Sequence, residues 1–539
     1  MKFKPMLKKA VRNAALALLL FALASGFVWA QKGFGNQAAR AEVERGRAAE
    51  RDRDLVKASE FYRSAIQHDS YFVEAHRLFI NNSLAVALLS IKSDLSADER
   101  REQTRLVKNS FAREMIALYE GWARKAPRNP AYQWGLGEIS RINTNYDQRE
   151  RYMLNAARLD PKFVPAYQDL ATIAELRGEK IKQSEYLRRV AELGPKDASS
   201  AYQYAQSLKD IDPTSYRKRM LEVVSRFPND ERGAQALLQL ASSSEKPLER
   251  IAYYERLRAS FPPSRFLYSN AGMPDLFDSY LRVDPVKALA LAEEMARIAL
   301  QDHDRKSWLE RAVFQRGVVR AQDLINERKY EEALSVLEGT AENRPASIKF
   351  GGALTLQKAM AFAGVGQTAR AYQELLDLII SEPTDSALEM LVGVGAKFGK
   401  TPAEVNVDVR QSLDKQAKPL KDFSLEGYLD RNPISLADHR GKVVLLNFWF
   451  PSCVPCRVEN PELQRLLGKY GRDKLVILAI NIRPEQDEFV VPYLKNNNFD
   501  FVALRGSADF ARLSFGVTEY PTNFLIDQQG RVISRLRAV

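Results

Sequence analysis

Val443-Val444-Leu445-Leu446-Asn447-Phe448-Trp449-Phe450-Pro451-Ser452-Cys453-Val454-Pro455-Cys456 is the stretch that decides how this chain reads. Its first residues form an apolar run of strand length, and from Cys453 onward the spacing is that of an amphipathic helix. Cys453 and Cys456 are the only cysteines in 539 residues. Two thiols three residues apart, with no others to pair with, point to chemistry with each other.

The spacing has a physical meaning. A cysteine just ahead of a helix sets its sulfur near unsatisfied backbone N–H groups and the positive end of the helix dipole, and both favour the thiolate. Lowering a thiol pKa from about 8.5 to about 7 raises the thiolate fraction at pH 7 from roughly 3% to roughly 50%. Cys453 is therefore the candidate attacking sulfur. Cys456, one turn further on, is the candidate that resolves a mixed disulfide. Pro455 suits a first helical turn, where its missing N–H costs nothing. Two other readings stay open at this level. A C-x-x-C can be half of a structural zinc site, but zinc usually takes four ligands. The histidines are His68, His76, His303 and His439, of which only His439 is nearby in sequence. The pair can also be a purely structural disulfide, although so short a loop restrains the unfolded chain little.

Downstream, a helix is predicted to end near Lys469, followed by an apolar strand over residues 475–480 and a helix around residues 485–495. A short strand at residues 499–504 follows, and Gln528-Gln529-Gly530 makes a turn into Arg531-Val532-Ile533-Ser534, which reads as a hairpin. From about Pro419 onward the chain resembles the TlpA/ResA-type thiol-disulfide oxidoreductases of the thioredoxin superfamily. The matching pieces are Asp422-Phe423-Ser424-Leu425, Ile434-Ser435-Leu436-Ala437-Asp438, Gly441 through Trp449, Cys453 through Pro461, and Tyr520-Pro521-Thr522.

The resemblance implies an α/β thioredoxin-like domain at residues 422–539 whose working group is the Cys453–Cys456 dithiol, with no other cofactor and no metal. It implies that Pro521 is the cis-proline facing the dithiol, and that Trp449, Tyr520 and Thr522 are candidate substrate-binding residues beside it. It also implies that Glu459, three residues after Cys456 and on the same helix face, is the acid that tunes the dithiol. A carboxylate there raises a thiol pKa or, when protonated, donates a proton during exchange. The alternative is a solvated first-turn carboxylate favoured by the helix dipole. Three departures stand out. Asn447 replaces the buried Asp of thioredoxins proper, so it is no proton shuttle. Ser452 replaces the tryptophan usual before the first cysteine, and Phe450-Pro451 is unusual there. The chain stops at Val539 just past the hairpin, where the family continues into a helix, so a fragment is expected.

Lys2, Lys4, Lys8, Lys9 and Arg12 precede an apolar stretch from Ala14 to Ala30 with no acid before Glu42. Residues 1–30 thus read as an export signal or membrane anchor, which predicts a periplasmic or cell-envelope protein. Eighty basic residues against 68 acidic ones give +12; five of the basic residues fall in the first 30, leaving +7. Basic and acidic residues interleave, as in Glu42 to Asp54, which points to solvated helix faces and not to a nucleic-acid patch.

Residues 31–405 are periodic. Pro127, Pro161, Pro195, Pro228 and Pro262 stand 34, 34, 33 and 34 residues apart, each after a helical pattern. That is the tetratricopeptide period. Ala171, Ala174 and Gly178 are read as small residues where helices approach closely. Pro345 and Pro383 are read as closing later repeats, while the stretch from about 263 to 325 is loose in register. Stacked helical repeats make a solenoid that binds a protein or peptide partner; the bland alternative is a spacer. Residues 406–421 are expected to form a semi-extended linker.

The expected whole is an all-α tetratricopeptide-type solenoid followed by the redox domain. By resemblance it reduces disulfides of exported client proteins with electrons from a membrane donor, for example in cytochrome c or copper-protein maturation. A thiol oxidase or isomerase shares every motif. A non-catalytic tetratricopeptide scaffold is the reading from a different class.

Overall fold

The structure is a computed structural model that describes residues 35–299, 301–342, 352–381, 383–429 and 431–537. The expected export segment, residues 1–30, and Pro345 lie outside these. Among the described residues no helix is long and apolar enough to cross a membrane. The chain forms two compact units, one ending at Ala166 and the other beginning at Tyr167.

Twenty helices precede the sheet among the described residues. The prolines that set the period sit two residues beyond helix ends: Pro127 after Ala97–Lys125, Pro161 after Tyr146–Leu159, Pro195 after Lys180–Leu193, Pro228 after Pro213–Arg226 and Pro262 after Pro247–Ser260. Pro383 follows Thr368–Ser381 in the same way. A proline there cannot continue the helix, and the residue before it is pushed out of helical geometry. In the first unit, small residues make room for aromatic ones: Gly46 lies against Tyr62, and Gly135 against Tyr119. The loose register of residues 263–325 has a cause. Helix Leu267–Val283 contains Pro274, and Asp302–Asn326 runs for 25 residues without a break.

Two expectations change here. The stretch expected as a linker, residues 406–421, is mostly helix: Pro402–Gln416 is closed by a capping box of Thr401 and Glu404, with Pro402 in its first turn. Beyond it Lys418–Pro419 pairs with the last strand of the sheet. Gly178 is a close-approach residue, but it lies in a turn and not within a helix. It takes φ +71° in the turn after helix Val164–Leu176, a conformation that favours glycine.

In the C-terminal domain the strands are β1 (Lys418–Pro419), β2 (Ser424–Glu426), β3 (Pro433–Ser435), β4 (Val443–Trp449), β5 (Leu475–Asn481), β6 (Val502–Arg505), β7 (Thr522–Ile526) and β8 (Arg531–Arg537). The helices are α1 (Val454–Tyr470), α2 (Asp487–Asn496) and α3 (Ala508–Phe515). Six strands make one sheet in the order β1-β8-β7-β4-β5-β6, and β2 pairs with β3. β4 and β5 run parallel, as do β5 and β6; β7 lies antiparallel to β4 and to β8. β4 and β5 are central and covered on both faces, which is why they read as near-continuous apolar runs. Alternate β4 residues enter separate cores: Leu445 and Trp449 on the face with Leu463 and Tyr493, and Val444, Leu446 and Phe448 on the face with Ala511.

Candidate active site

β4 delivers the chain to the dithiol. Phe450 O accepts from Cys453 N at 3.0 Å, closing the turn between strand and helix. Cys453 is the N-cap of α1 in extended geometry, and its Sγ accepts the N–H of Cys456 at 3.2 Å. Pro455 stands in the first turn. Cys453 and Cys456 are joined as a disulfide with Cα atoms 5.3 Å apart. Cys453 keeps 4% of its surface and Cys456 none. A sulfur in the cap position receives the field of the helix terminus directly, which favours its thiolate on reduction.

Behind the pair lies a polar cluster inside the core. Glu459 Oε1 accepts from Asn523 Nδ2 at 2.7 Å, and Oε2 accepts from Asn447 Nδ2 at 3.4 Å. Asn447 Nδ2 also donates to Asn523 Oδ1 at 2.7 Å. Glu459 is buried, so the reading as a solvated first-turn carboxylate does not hold. A buried polar group needs partners, and the two amides supply them. Asn447 and Asn523 face each other across β4 and β7 in register.

The rim is built from three loops. Tyr520–Pro521 is a cis peptide at the start of β7, beside the end of β4 from which the dithiol loop leaves. The Tyr520 ring meets Phe450 edge-on at 5.8 Å, and the Arg483 guanidinium lies 4.5 Å from the centre of the Phe450 ring. Burial pushes the Tyr520 hydroxyl pKa up, against the pull of Arg483. Gln486 holds the loop by accepting from Ser452 N at 2.9 Å and donating to Ser452 Oγ at 2.8 Å. Val454 and Val458 are exposed beside Cys453.

Two of the candidate contact residues are placed otherwise. Trp449 is wholly buried with its ring 5.4 Å from that of Tyr493, because its β4 position faces inward. Thr522 is buried and spends its hydroxyl on Glu519 O at 2.7 Å. Their side chains belong to the interior, and Phe450, Arg483 and Tyr520 line the rim in their place. Asn523, Gln486 and Arg483 were not singled out from the sequence; an Asn beside the Pro-Thr pair was the one local signal. His439 sits in the 3₁₀ turn Ala437–His439, where burial lowers its pKa. Among the described residues no group of three or more His, Cys, Asp or Glu is placed to hold a metal ion.

Residues 417–535 match the AhpC/TSA family. The thiol-disulfide oxidoreductase ResA of Bacillus thuringiensis subsp. konkukian is 33% identical over 129 residues, which is 24% of this chain and 71% of that protein. The thioredoxin-like protein YneN of Bacillus subtilis is 33% identical over 146 residues, 26% of this chain and 81% of that protein. Among solved structures, a DsbF homologue from Corynebacterium diphtheriae is 28% identical, covering 23% of this chain and 82% of that one, with a TM-score of 0.22.

Proposed function

Because the chain belongs, through its C-terminal domain, to the ResA-type thiol-disulfide oxidoreductases, we propose that it reduces disulfides of exported client proteins in the cell envelope. The observation that carries this is the position of Cys453 as the helix cap, with Cys456 sealed behind it. Reaction begins with the reduced dithiol. The Cys453 thiolate attacks one sulfur of a client disulfide, a mixed disulfide forms, and one client sulfur leaves as thiolate. Cys456 gives up its proton, for which Glu459 is the acceptor within the buried cluster, and attacks Cys453 Sγ. The second client thiol leaves, and the protein disulfide forms. Two electrons have passed to the client, and a membrane donor returns them.

The export reading rests on the basic and apolar N-terminal sequence. The helical repeats are read as tetratricopeptide-like and as the binding element for a protein or peptide partner, on the grounds of the 34-residue period. A cleft of about 190 Å³ among three of these helices, lined by Arg188, Glu192, Tyr204, Arg219 and Arg226, offers charged groups to such a partner. Maturation of cytochrome c or copper proteins fits a reductase of this kind.

The test is a redox titration of the full chain in thiol/disulfide buffers, together with Cys453→Ser. A reversible two-electron midpoint well below about −200 mV supports a reductase, whereas one near −120 mV makes it an oxidant. Cys453→Ser is expected to abolish turnover. Full function in that variant, or no reversible transition in the wild type, sinks the enzyme reading and leaves a scaffold.

A further inference from the structure

Arg457 follows Cys456 directly and comes one turn after Cys453, to whose carbonyl its N–H donates at 3.1 Å. Its guanidinium does not stay within the redox domain. Arg457 Nη1 lies 2.8 Å from Glu175 Oε1, 282 positions earlier, in the last turn of helix Val164–Leu176. The residues just after Glu175 strengthen the contact. Asn496 Nδ2 of α2 donates to Arg177 O at 2.8 Å. Gly178 is so close to the redox domain that a Cβ there would meet Asn497 Nδ2 at 2.4 Å. Arg457 also stands 6.0 Å from the Tyr493 ring that packs on Trp449. The turn after helix Val164–Leu176 therefore seats on the first turn of α1 and the last turn of α2.

A cation in the first turn of the dithiol helix favours thiolate, and an anion disfavours it. The Arg457 and Glu175 side chains keep 21% and 37% of their surface, so water screens them only in part. We propose that Glu175, supplied by the helical repeats, is a positioning residue for the dithiol: it offsets the charge of Arg457 beside Cys456 and so sets the thiol–disulfide equilibrium. The repeats then act on the chemistry as well as on a partner. This rests on the oxidoreductase reading. Other charged groups near this turn include Arg177, Glu179 and Lys180 within it, Asp210, which pairs with Lys180 and acts on Tyr493, Glu459 on α1, and Arg483 at the rim. All of these stay constant across the test.

The reaction to follow is exchange with glutathione. Two glutathione thiols give up their protons to Cys453 and Cys456, the protein S–S bond breaks and the glutathione S–S bond forms. Whatever stabilises the Cys453 thiolate favours the dithiol. Wild-type full chain, Glu175→Gln, Arg457→Gln and the double variant are equilibrated at pH 7 with reduced and oxidised glutathione, and the reduced fraction is read by alkylation. Glu175→Gln should shift the equilibrium constant about threefold toward dithiol, and Arg457→Gln about threefold toward disulfide. At about 30 mV per decade each shift is about 14 mV, in opposite directions. The double variant should return close to wild type. A merely structural ion pair breaks in both single variants alike, so shifts of the same sign, or none, overturn the proposal. A wild type that does not titrate reversibly overturns the oxidoreductase reading itself, and this inference with it.

Discussion

Two glutamates are buried to almost the same degree, one in each compact unit, and opposite kinds of neighbour hold them. Glu138 accepts from Arg149 Nη2 at 2.7 Å and from Arg141 Nε at 3.3 Å. Burial alone would raise its pKa, but Arg141, Arg149 and Arg77 outweigh burial and hold the carboxyl well below the usual range. Glu459 instead takes a side-chain amide on each oxygen. Arginines fix the first as an anion at any working pH. Side-chain amides of Asn523 and Asn447 orient the second by donating to its two oxygens. Burial of an acid is therefore a poor guide to chemistry, and the charge of its neighbours is a better one.

The strongest way to break the comparison is Arg149→Ala. Removing one partner of a buried ion pair costs about 3–5 kcal/mol, which calorimetry on the full chain should show in the transition of the first unit. A loss under about 1 kcal/mol means that Glu138 is not held by charge. Next in size is a buried base in the same unit. His76 is wholly buried, with Nδ1 2.9 Å from Tyr119 Oη and Nε2 3.0 Å from Ser70 O, and burial brings its pKa down to about 4. The unfolded chain takes up that proton near pH 6.5, while the folded one waits until about pH 4. Stability should then fall as pH drops through this window, by about 2 kcal/mol at pH 5. His76→Gln should flatten that part of the curve of Tm against pH, and an unchanged slope assigns the loss to other groups.

Glu459→Gln sharpens the other side. The rate at which Cys456 resolves a mixed disulfide should fall about tenfold, or about 1.4 kcal/mol, with its pH dependence altered and Tm nearly kept. A variant that loses stability as Arg149→Ala does, yet resolves at the wild-type rate, makes both glutamates structural. The smallest effect is expected from Asn523→Ala. Loss of one amide donor to a buried carboxyl should cost about 1 kcal/mol of stability and slow the same resolution step about threefold, read by rapid mixing.

Much of this could be read from residues alone. The strand–turn–helix around Cys453, the hairpin at Gly530 and the prolines two residues beyond helix ends are local signals, and each is where its local physics puts it. The helix Pro402–Gln416 is legible too, since Thr401-Pro402-Ala403-Glu404 is a capping box with proline in the first turn, while the charge and proline of residues 414–419 favour an extended linker. The eight-residue α3 is too short for periodicity to mark. The resemblance makes Trp449 a candidate for substrate contact, but strand alternation turns it inward. Glu175 and Arg457 are beyond any such reading, because nothing local joins residues 282 positions apart.

The cap at the head of α1 has a mechanical consequence. A single atom, Cys453 Sγ, caps a helix and, in the proposed reaction, would also attack the client disulfide. As a thiolate it is a strong acceptor for the Cys456 N–H; bonded to a client sulfur it is a weaker one, so forming the mixed disulfide loosens the turn that carries Cys456. In the proposed reaction the covalent intermediate would then slacken the restraint on the thiol that resolves it, and a bound client would become the trigger for its own release.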